Sequence, residues 1–209
     1  MAREFNCLPM KRLFDAFFSG VFLLLLSPLF LILIFLIFLC DGAPVFFSQV
    51  RAGLHGEAFT IYKFRTMAVQ KNHCGQSLPA SDRITCLGYF LRKTSLDELP
   101  QLWNVLKGDL SLVGPRPLII EYLPLYSKEQ ARRHLVRPGI TGLAQVRGRN
   151  GLSWEERFLL DVWYVDHQSW RLDIKVLLLT VKKVFCADNI APPDGGIMPK
   201  FKGGREDNN

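Results

Sequence analysis

Apolar residues fill the chain from Ala16 to Cys40 without a single charge, a run of 25 residues interrupted near its middle by Ser27-Pro28. As one helix rising about 1.5 Å per residue, the run would extend about 37 Å, enough to cross the hydrocarbon of a bilayer, whereas either side of the break reaches only about half that thickness. Pro28 donates no amide hydrogen and collides with the carbonyl of Leu24, so an ideal helix cannot continue through it. The Ser27 hydroxyl can hydrogen-bond a carbonyl of the preceding turn, a common repair inside lipid. The pattern predicts a helix-break-helix that either spans the membrane bent or folds back as a re-entrant hairpin. Arg3, Lys11 and Arg12 precede it and the other 23 Lys and Arg residues follow Asp41, so both flanks carry the cytoplasmic charge signature and favour re-entry. The length of the run and the lack of a small-residue cleavage pattern after Cys40 argue against a secretory signal peptide.

Beyond Gly42 the pattern changes. Val45 to Arg51 and Ala58 to Phe64 are rich in Phe, Val, Ile and Tyr, with Gly53 and Gly56 between them, and predict a β-hairpin. Gln70 to Asp82 reads as a loop, and the basic segment Leu87 to Lys93 has no assignable form. From Leu96, the spacing of Leu99, Leu102, Trp103 and Leu106, with Gly108 just past the end, predicts one short amphipathic helix. Pro115, Pro117, Pro138, Gly139, Gly142, Gly148 and Gly151 break up the next stretch, leaving Leu125 to Leu135 as a helix between loops. Trp154 to Trp170 and Leu172 to Cys186 then read as helices. The second sets Lys175, Lys182 and Lys183 against Ile174, Leu177, Leu178, Val181 and Phe185, a pattern suited equally to a bilayer surface and to a core helix with a solvated basic face. The expected fold is α+β and mainly helical. Residues 1–41 form a re-entrant membrane helix-break-helix, residues 42–190 a small cytosolic domain with the β-hairpin and amphipathic interfacial helices, and residues 191–209, rich in Pro, Gly and charge, a flexible tail.

Charge narrows the choice of partner. The 209 residues carry a net charge of +7, and after Asp41 there are 23 basic against 16 acidic residues. A basic body beside a membrane element suits anionic headgroups or phosphorylated substrates. Nucleic acid is not an expected partner, because no basic helix or binding motif accompanies the charge. Cys7, Cys40, Cys74, Cys86 and Cys186 form no CxxC pair, which points to reduced thiols, and His55, His73, His134 and His167 lack metal-ligand spacing, so no transition-metal site is expected.

The chemistry concentrates at Ser95-Leu96-Asp97-Glu98. This has the spacing of a capping box, in which Ser95 precedes a helix and the carboxylates serve only to complement its dipole. Pro100 disturbs that register, since it would fall inside the helix and cost a backbone bond; with Asp97 as the cap it would fit in the first turn. A capping carboxylate is tied to amides, whereas one that projects outward is available as a nucleophile. Meeting a phosphoryl group would then require cations, and Arg92 and Lys93 precede the pair while Arg116, Arg137, Arg147 and Arg149 stand on Gly/Pro-rich loops. A membrane insertion, a carboxylate pair and looped arginines together suggest transfer of a phosphorylated group to or from a lipid.

Over nearly its full length the chain resembles the bacterial sugar transferase family, in its small form of monotopic phosphoglycosyl transferase. The resemblance is carried by Lys11-Arg12 with Asp15, Ser27-Pro28, Gln49 to Gly53, Tyr62 to Met67, Arg92 to Asp109, Val113-Gly-Pro-Arg-Pro117 and Arg137 to Val146. It implies a re-entrant hairpin in the bacterial inner membrane with the catalytic domain facing the cytoplasm. It also implies Mg²⁺ as cofactor and transfer of a sugar 1-phosphate from a UDP-sugar to polyprenol (undecaprenyl) phosphate. That is a first membrane step of capsule, exopolysaccharide, O-antigen or glycoprotein glycan assembly, with downstream glycosyltransferases as possible partners. By position Asp97 would be the nucleophile, expelling UMP and carrying a covalent phosphosugar, and Glu98 would bind the metal with it or accept a proton. Lys63, Arg92, Arg116, Arg147 and Arg149 would cradle phosphates. Arg147 departs from the family, which often has a smaller polar residue there. Asp161 and Tyr164 lie in a family-like Asp-x-x-Tyr stretch that reads as well as helix-surface hydrogen bonding. Two other readings stand beside this one: a membrane-bound diphosphate hydrolase, and a non-enzymatic anchor for anionic lipid or a partner protein.

Overall fold

A computed structural model describes residues 8–68, 83–148, 151–186, 200–201 and 203. The chain is α+β and mostly helical, with one small β-hairpin. Two helices open it, α1 (Leu8–Leu25) and α2 (Ser27–Asp41), bent by 62° at Leu26. The bend has the local cause that proline dictates: the amide missing at Pro28 frees the Leu24 carbonyl, which accepts the Ser27 hydroxyl at 2.8 Å. Among the described residues no single helix is long and apolar enough to cross a membrane, although this bent pair is by length and composition. Its outer faces are apolar and exposed, with Leu13, Phe17, Leu24, Leu31, Phe35 and Leu39 all more than half accessible.

Both ends of the pair are fastened to the same folded body. Lys11 bonds Asp173 at 2.5 Å, Arg12 donates to the carbonyls of Val105 and Leu106 at 2.5 and 2.6 Å, and buried Asp15 accepts from the Ser111 hydroxyl and the Leu112 amide. At the other end Arg65 donates to the carbonyls of Asp41, Gly42 and Ala43, satisfying the acceptors that a helix terminus leaves over. Phe14, Phe18 and Leu23 of the first helix and Leu26 at the bend pack on the main core, and Leu33 and Ile37 of the second helix pack on Phe64 and Leu91.

The hairpin is the expected one, β1 (Phe46–Ala52) against β2 (Ala58–Phe64), antiparallel with Phe46 opposite Phe64. The basic segment without assignable form is a helix, α3 (Cys86–Thr94), capped by the Thr85 hydroxyl on the Gly88 amide. Gly88 is required there because a Cβ would overlap the Thr66 carbonyl.

The single helix expected from Leu96 does not form. A 3₁₀ turn (Leu96–Glu98) precedes α4 (Gln101–Lys107), since Pro100 cannot donate to the carbonyl of residue 96 and instead starts a new helix. Asn104, fully buried, stitches α4 to the hairpin: its side chain accepts from the Tyr62 amide and donates to the Thr60 carbonyl.

Between α4 and the last helices lies a parallel pair that the sequence pattern did not reveal, β3 (Ser111–Val113) and β4 (Gly139–Thr141). The helix expected over Leu125 to Leu135 is divided: 3₁₀ turns (Ile120–Leu125 and Arg132–Leu135) flank α5 (Lys128–Ala131), which begins at a Ser127 capping box. The short α6 (Leu143–Arg147) is followed by α7 (Trp154–His167) and α8 (Trp170–Cys186). Helix α8 buries Asp173 and Val176 and leaves Ile174, Leu178 and Val181 exposed as an apolar stripe. The loop Gln70 to Asp82 lies outside the described residues. So does most of the tail expected to be flexible, but its Phe201 is packed and buried.

Candidate active site

Ser95 decides how the carboxylate pair is presented. It ends α3 in the left-handed conformation, φ 58° and ψ 17°, an arrangement costing a non-glycine residue about 1–2 kcal/mol. Its side chain caps nothing, and α4 is preceded by Pro100, also without a side-chain cap. Neither capping register allowed by the sequence is therefore adopted. Asp97 and Glu98 sit on the 3₁₀ turn and face a cavity of about 920 Å³.

Three of the expected cationic residues converge there. Lys63 comes from β2, Arg92 from the end of α3, and Arg116 from the loop between Gly114 and Pro117. Lys63 Nζ and Arg116 Nη2 both bond the same oxygen of Glu98, Oε1, at 2.6 and 2.8 Å. Asp97 is only 8% exposed, yet makes no hydrogen bond among the described residues; its nearest cation is Lys63, 3.9 Å away. Arg92 is oriented by the Thr66 hydroxyl, which accepts from its Nε at 2.8 Å.

The titration of the pair follows from this asymmetry. Burial disfavours ionisation of both carboxyls, but at Glu98 the charges of Arg116 and Lys63 outweigh it and hold the group well below the usual carboxylate range. At Asp97 burial, reinforced by the adjacent Glu98 charge, wins over Lys63 and Arg116 and raises the pKa to about 6. One carboxylate is held in ion pairs and its neighbour is left without a bonding partner.

The surroundings are strongly cationic. Seven basic side chains line the cavity against three acidic ones, Arg51, Arg65, Arg83 and Arg157 joining the three expected. The Arg51 and Arg157 guanidinium pKa values are lowered by burial and then by the neighbouring Arg116 charge, so positive charge is crowded beyond what the acids offset. Phe46, Phe47 and Phe64 line the same cavity, bringing an apolar wall to an anion site. The pocket suits a ligand with several phosphate oxygens and an apolar portion.

Carboxylate oxygens are also hard metal donors. Glu98 Oε2 and both Asp97 oxygens are uncommitted to hydrogen bonds, and among the described residues no cluster of three or more His, Cys, Asp or Glu could form a cage. This donor set fits a divalent ion of the Mg²⁺ type, which uses one or two carboxylates and fills the rest of its shell with phosphate oxygens and water.

Other expected residues fall elsewhere. Arg147, on α6, is exposed and is not among the cavity-lining residues; Arg149 lies outside the described residues; Ser27 and Pro28 sit at the bend between α1 and α2. Asp161 and Tyr164 are not on a helix surface. Asp161 is paired with Arg133, both about 2% exposed, and Tyr164 donates to Asp173 at 2.6 Å. Sequence reasoning did not single out Arg133 or Asn104, which no motif or spacing distinguishes from their neighbours.

Residues 6–187 match the family model described as Bacterial sugar transferase. The chain is 54% identical over 194 residues to the uncharacterized sugar transferase EpsL of Bacillus subtilis, covering 93% of this chain and 96% of that one. It is 40% identical over 196 residues to the undecaprenyl-phosphate galactose phosphotransferase of Salmonella typhimurium, covering 86% of this chain but 41% of that protein. It is 41% identical over 185 residues to the UDP-glucose:undecaprenyl-phosphate glucose-1-phosphate transferase of Klebsiella pneumoniae, covering 84% of this chain and 40% of that protein. The chain thus spans less than half the length of these last two relatives. With a matching family model over most of its residues and the carboxylate pair set in a cationic cavity, it belongs to the bacterial sugar transferases.

Proposed function

We propose that the chain transfers a sugar 1-phosphate from a UDP-sugar to undecaprenyl phosphate or a similar polyprenyl phosphate, in two displacements through Asp97. The observation that carries this reading is the pairing of Lys63 and Arg116 on Glu98, which leaves Asp97 as an unbonded carboxylate facing a cation-rich cavity. In the first displacement an Asp97 oxygen attacks the sugar-bearing phosphorus, and the bond from that phosphorus to the UMP oxygen breaks, UMP leaving with the electron pair. In the second, an oxygen of the polyprenyl phosphate attacks the same phosphorus and the acyl-phosphate bond breaks, restoring the Asp97 carboxylate. Splitting the transfer spares two bulky anions from meeting in one transition state. Lys63, Arg92 and Arg116 stand ready to stabilise the charge spread over the phosphoryl oxygens. Mg²⁺ held by Asp97 and Glu98 would supply further neutralisation of the diphosphate. The names of the Salmonella and Klebsiella relatives support undecaprenyl phosphate as acceptor, and that of the Klebsiella relative a UDP-sugar as donor.

The same reading places the α1–α2 pair in the cytoplasmic face of the bacterial inner membrane as a re-entrant hairpin. Its support is geometric. The arms bend by 62°, and Arg12 at one end and Arg65 at the other are fastened to one folded body, which a spanning helix would have to divide. The lipid-linked product would then be available to glycosyltransferases on that face.

Incubation with a panel of UDP-sugars tests the reaction. UMP release should stop at about one equivalent per chain without polyprenyl phosphate and turn over many times with it. Repeated turnover without the lipid would instead mark a hydrolase, and salt-sensitive vesicle binding with no UMP from any donor an anchor. Asp97→Asn should lower UMP release at least about a thousandfold and Glu98→Gln about a hundredfold, with activity near wild type in either variant contradicting its assigned role. Ionised Asp97 is the reactive form, so with a pKa of about 6 the wild-type rate should fall about tenfold from pH 7 to pH 5. In Glu98→Gln the acid limb should move to lower pH, because Asp97 loses a like charge and gains the freed cations. For the topology, Met10→Cys and Gly42→Cys in an otherwise cysteine-free chain should both react with an impermeant maleimide only from the cytoplasmic side. Labelling of the first from outside would establish a span.

A further inference from the structure

Phe201 lies beyond the main core and does not line the cavity, yet it is 5% exposed. Its amide donates to the Tyr122 hydroxyl at 3.1 Å, and its ring meets Phe158 edge-on with centroids 5.0 Å apart and stacks on Tyr126 at 5.8 Å. The guanidinium of Arg133 lies over two of these same rings, 5.8 Å from the centre of Tyr126 and 5.6 Å from that of Phe158. A cation removed from water is attracted to the faces of aromatic rings, so this cluster, with the Tyr126 hydroxyl that accepts from Arg133 at 3.3 Å, helps set where Arg133 sits.

Arg133 in turn reaches the active site. It pairs with Asp161, which lines the cavity, at 2.7 Å and donates to the backbone carbonyl of Arg116 at 2.8 Å. The neighbouring carbonyls of that loop are held by backbone: Pro115 by the Gly139 amide at 2.9 Å and Leu118 by the Ala52 amide at 3.0 Å. The Arg116 carbonyl is held by a side chain, and that side chain is steadied by the aromatic cluster that Phe201 completes.

We infer that Phe201 is a positioning residue for the phosphate grip: packed among Tyr122, Tyr126 and Phe158, it fixes Arg133, and through Arg133 the loop that presents Arg116. Phe201 thereby acts on the site without lining it. The inference rests on the reading of Arg116 as a phosphate ligand given under the proposed function. Losing the ring would let Tyr126 and Phe158 collapse into the vacated space and release Arg133 from a single position, loosening Arg116 without removing it.

The test uses the full-length chain in detergent, with UMP affinity from calorimetric titration, KM and kcat for the UDP-sugar from UMP release, and thermal melting as a check on folding. Phe201→Ala should weaken UMP binding about five- to tenfold and lower kcat/KM for the UDP-sugar by at least as much, and Phe201→Trp should return both to within about twofold of wild type. The double variant Phe201→Ala with Arg116→Ala should bind UMP no more weakly than Arg116→Ala alone, because both changes remove the same contact. Should Phe201→Ala fail to fold, Phe201→Leu carries the same comparisons with a weakening of about threefold. Unchanged UMP affinity in the folded variants, effects that multiply with Arg116→Ala, or tighter UMP binding, the mark of a plug that ligand must displace, would each overturn the inference. A wild-type chain that releases no UMP while Phe201 and Arg116 remain coupled in UMP binding removes the proposed reaction alone. A wild-type chain that turns over while the two residues act independently removes this inference alone.

Discussion

Two carboxylates stand side by side in a buried, cation-lined cavity, and the nearest cations close on only one of them. Lys63 and Arg116 meet at a single oxygen of Glu98. Had they divided themselves between the two residues, both carboxylates would be spent in ion pairs and neither would be left unbonded. Burying an acid without a bonding partner costs free energy, and the site bears that cost at Asp97, where it appears as resistance to ionisation. Much of the surrounding structure serves to keep this inequality. Asn104 locks α4 onto the hairpin strand that carries Lys63, and the left-handed turn at Ser95 swings Asp97 and Glu98 off the axis of α3.

The bent helix pair is tied to the same arrangement. Arg65 satisfies the last carbonyls of α2, and the next residue, Thr66, orients Arg92 with its hydroxyl. Arg65 thus both holds the end of α2 and lines the cavity, and its neighbour orients a second cation of the site. On the opposite side Arg12 holds the carboxyl end of α4, the helix that follows the carboxylate pair. A bent helix pair gripped at both ends beside the cavity suits the proposed reaction, in which one substrate would arrive from water and the other from lipid. The apolar faces of α1 and α2, left uncovered by the rest of the chain, fit that role.

What the sequence disclosed was what is decided locally. The bend at Ser27-Pro28 is a consequence of one missing amide, and the β-hairpin follows from two β-rich runs around glycines, so both are found where the pattern puts them. The carboxylate pair and Lys63, Arg92 and Arg116 were legible through motif segments, and they share one cavity. Legibility failed where distant contacts overrule local preference. Ser95 has the composition of an N-cap, but it closes α3 in the left-handed conformation, where its side chain caps nothing. The β3–β4 pair is three residues per strand, too short for any alternation to show. Arg133 and Asp161 look like ordinary surface charges until the fold buries each against the other, and Phe201, in a stretch whose composition suggests a loose tail, is held by aromatic residues far from it in sequence. Arg147 illustrates the reverse: a basic residue in a promising loop that the fold turns outward.

The proposed function requires that Asp97 itself become bonded to the transferred phosphosugar. Its most direct measurement is the mass of the intact chain after incubation with a turnover-competent UDP-sugar in the absence of polyprenyl phosphate, followed by peptide mapping. The expected result is a gain of one phosphosugar group, located on the peptide that carries Asp97 and discharged when polyprenyl phosphate is added. Formation of lipid-linked product without such an adduct under rapid quenching, or an adduct on a different residue, would contradict it.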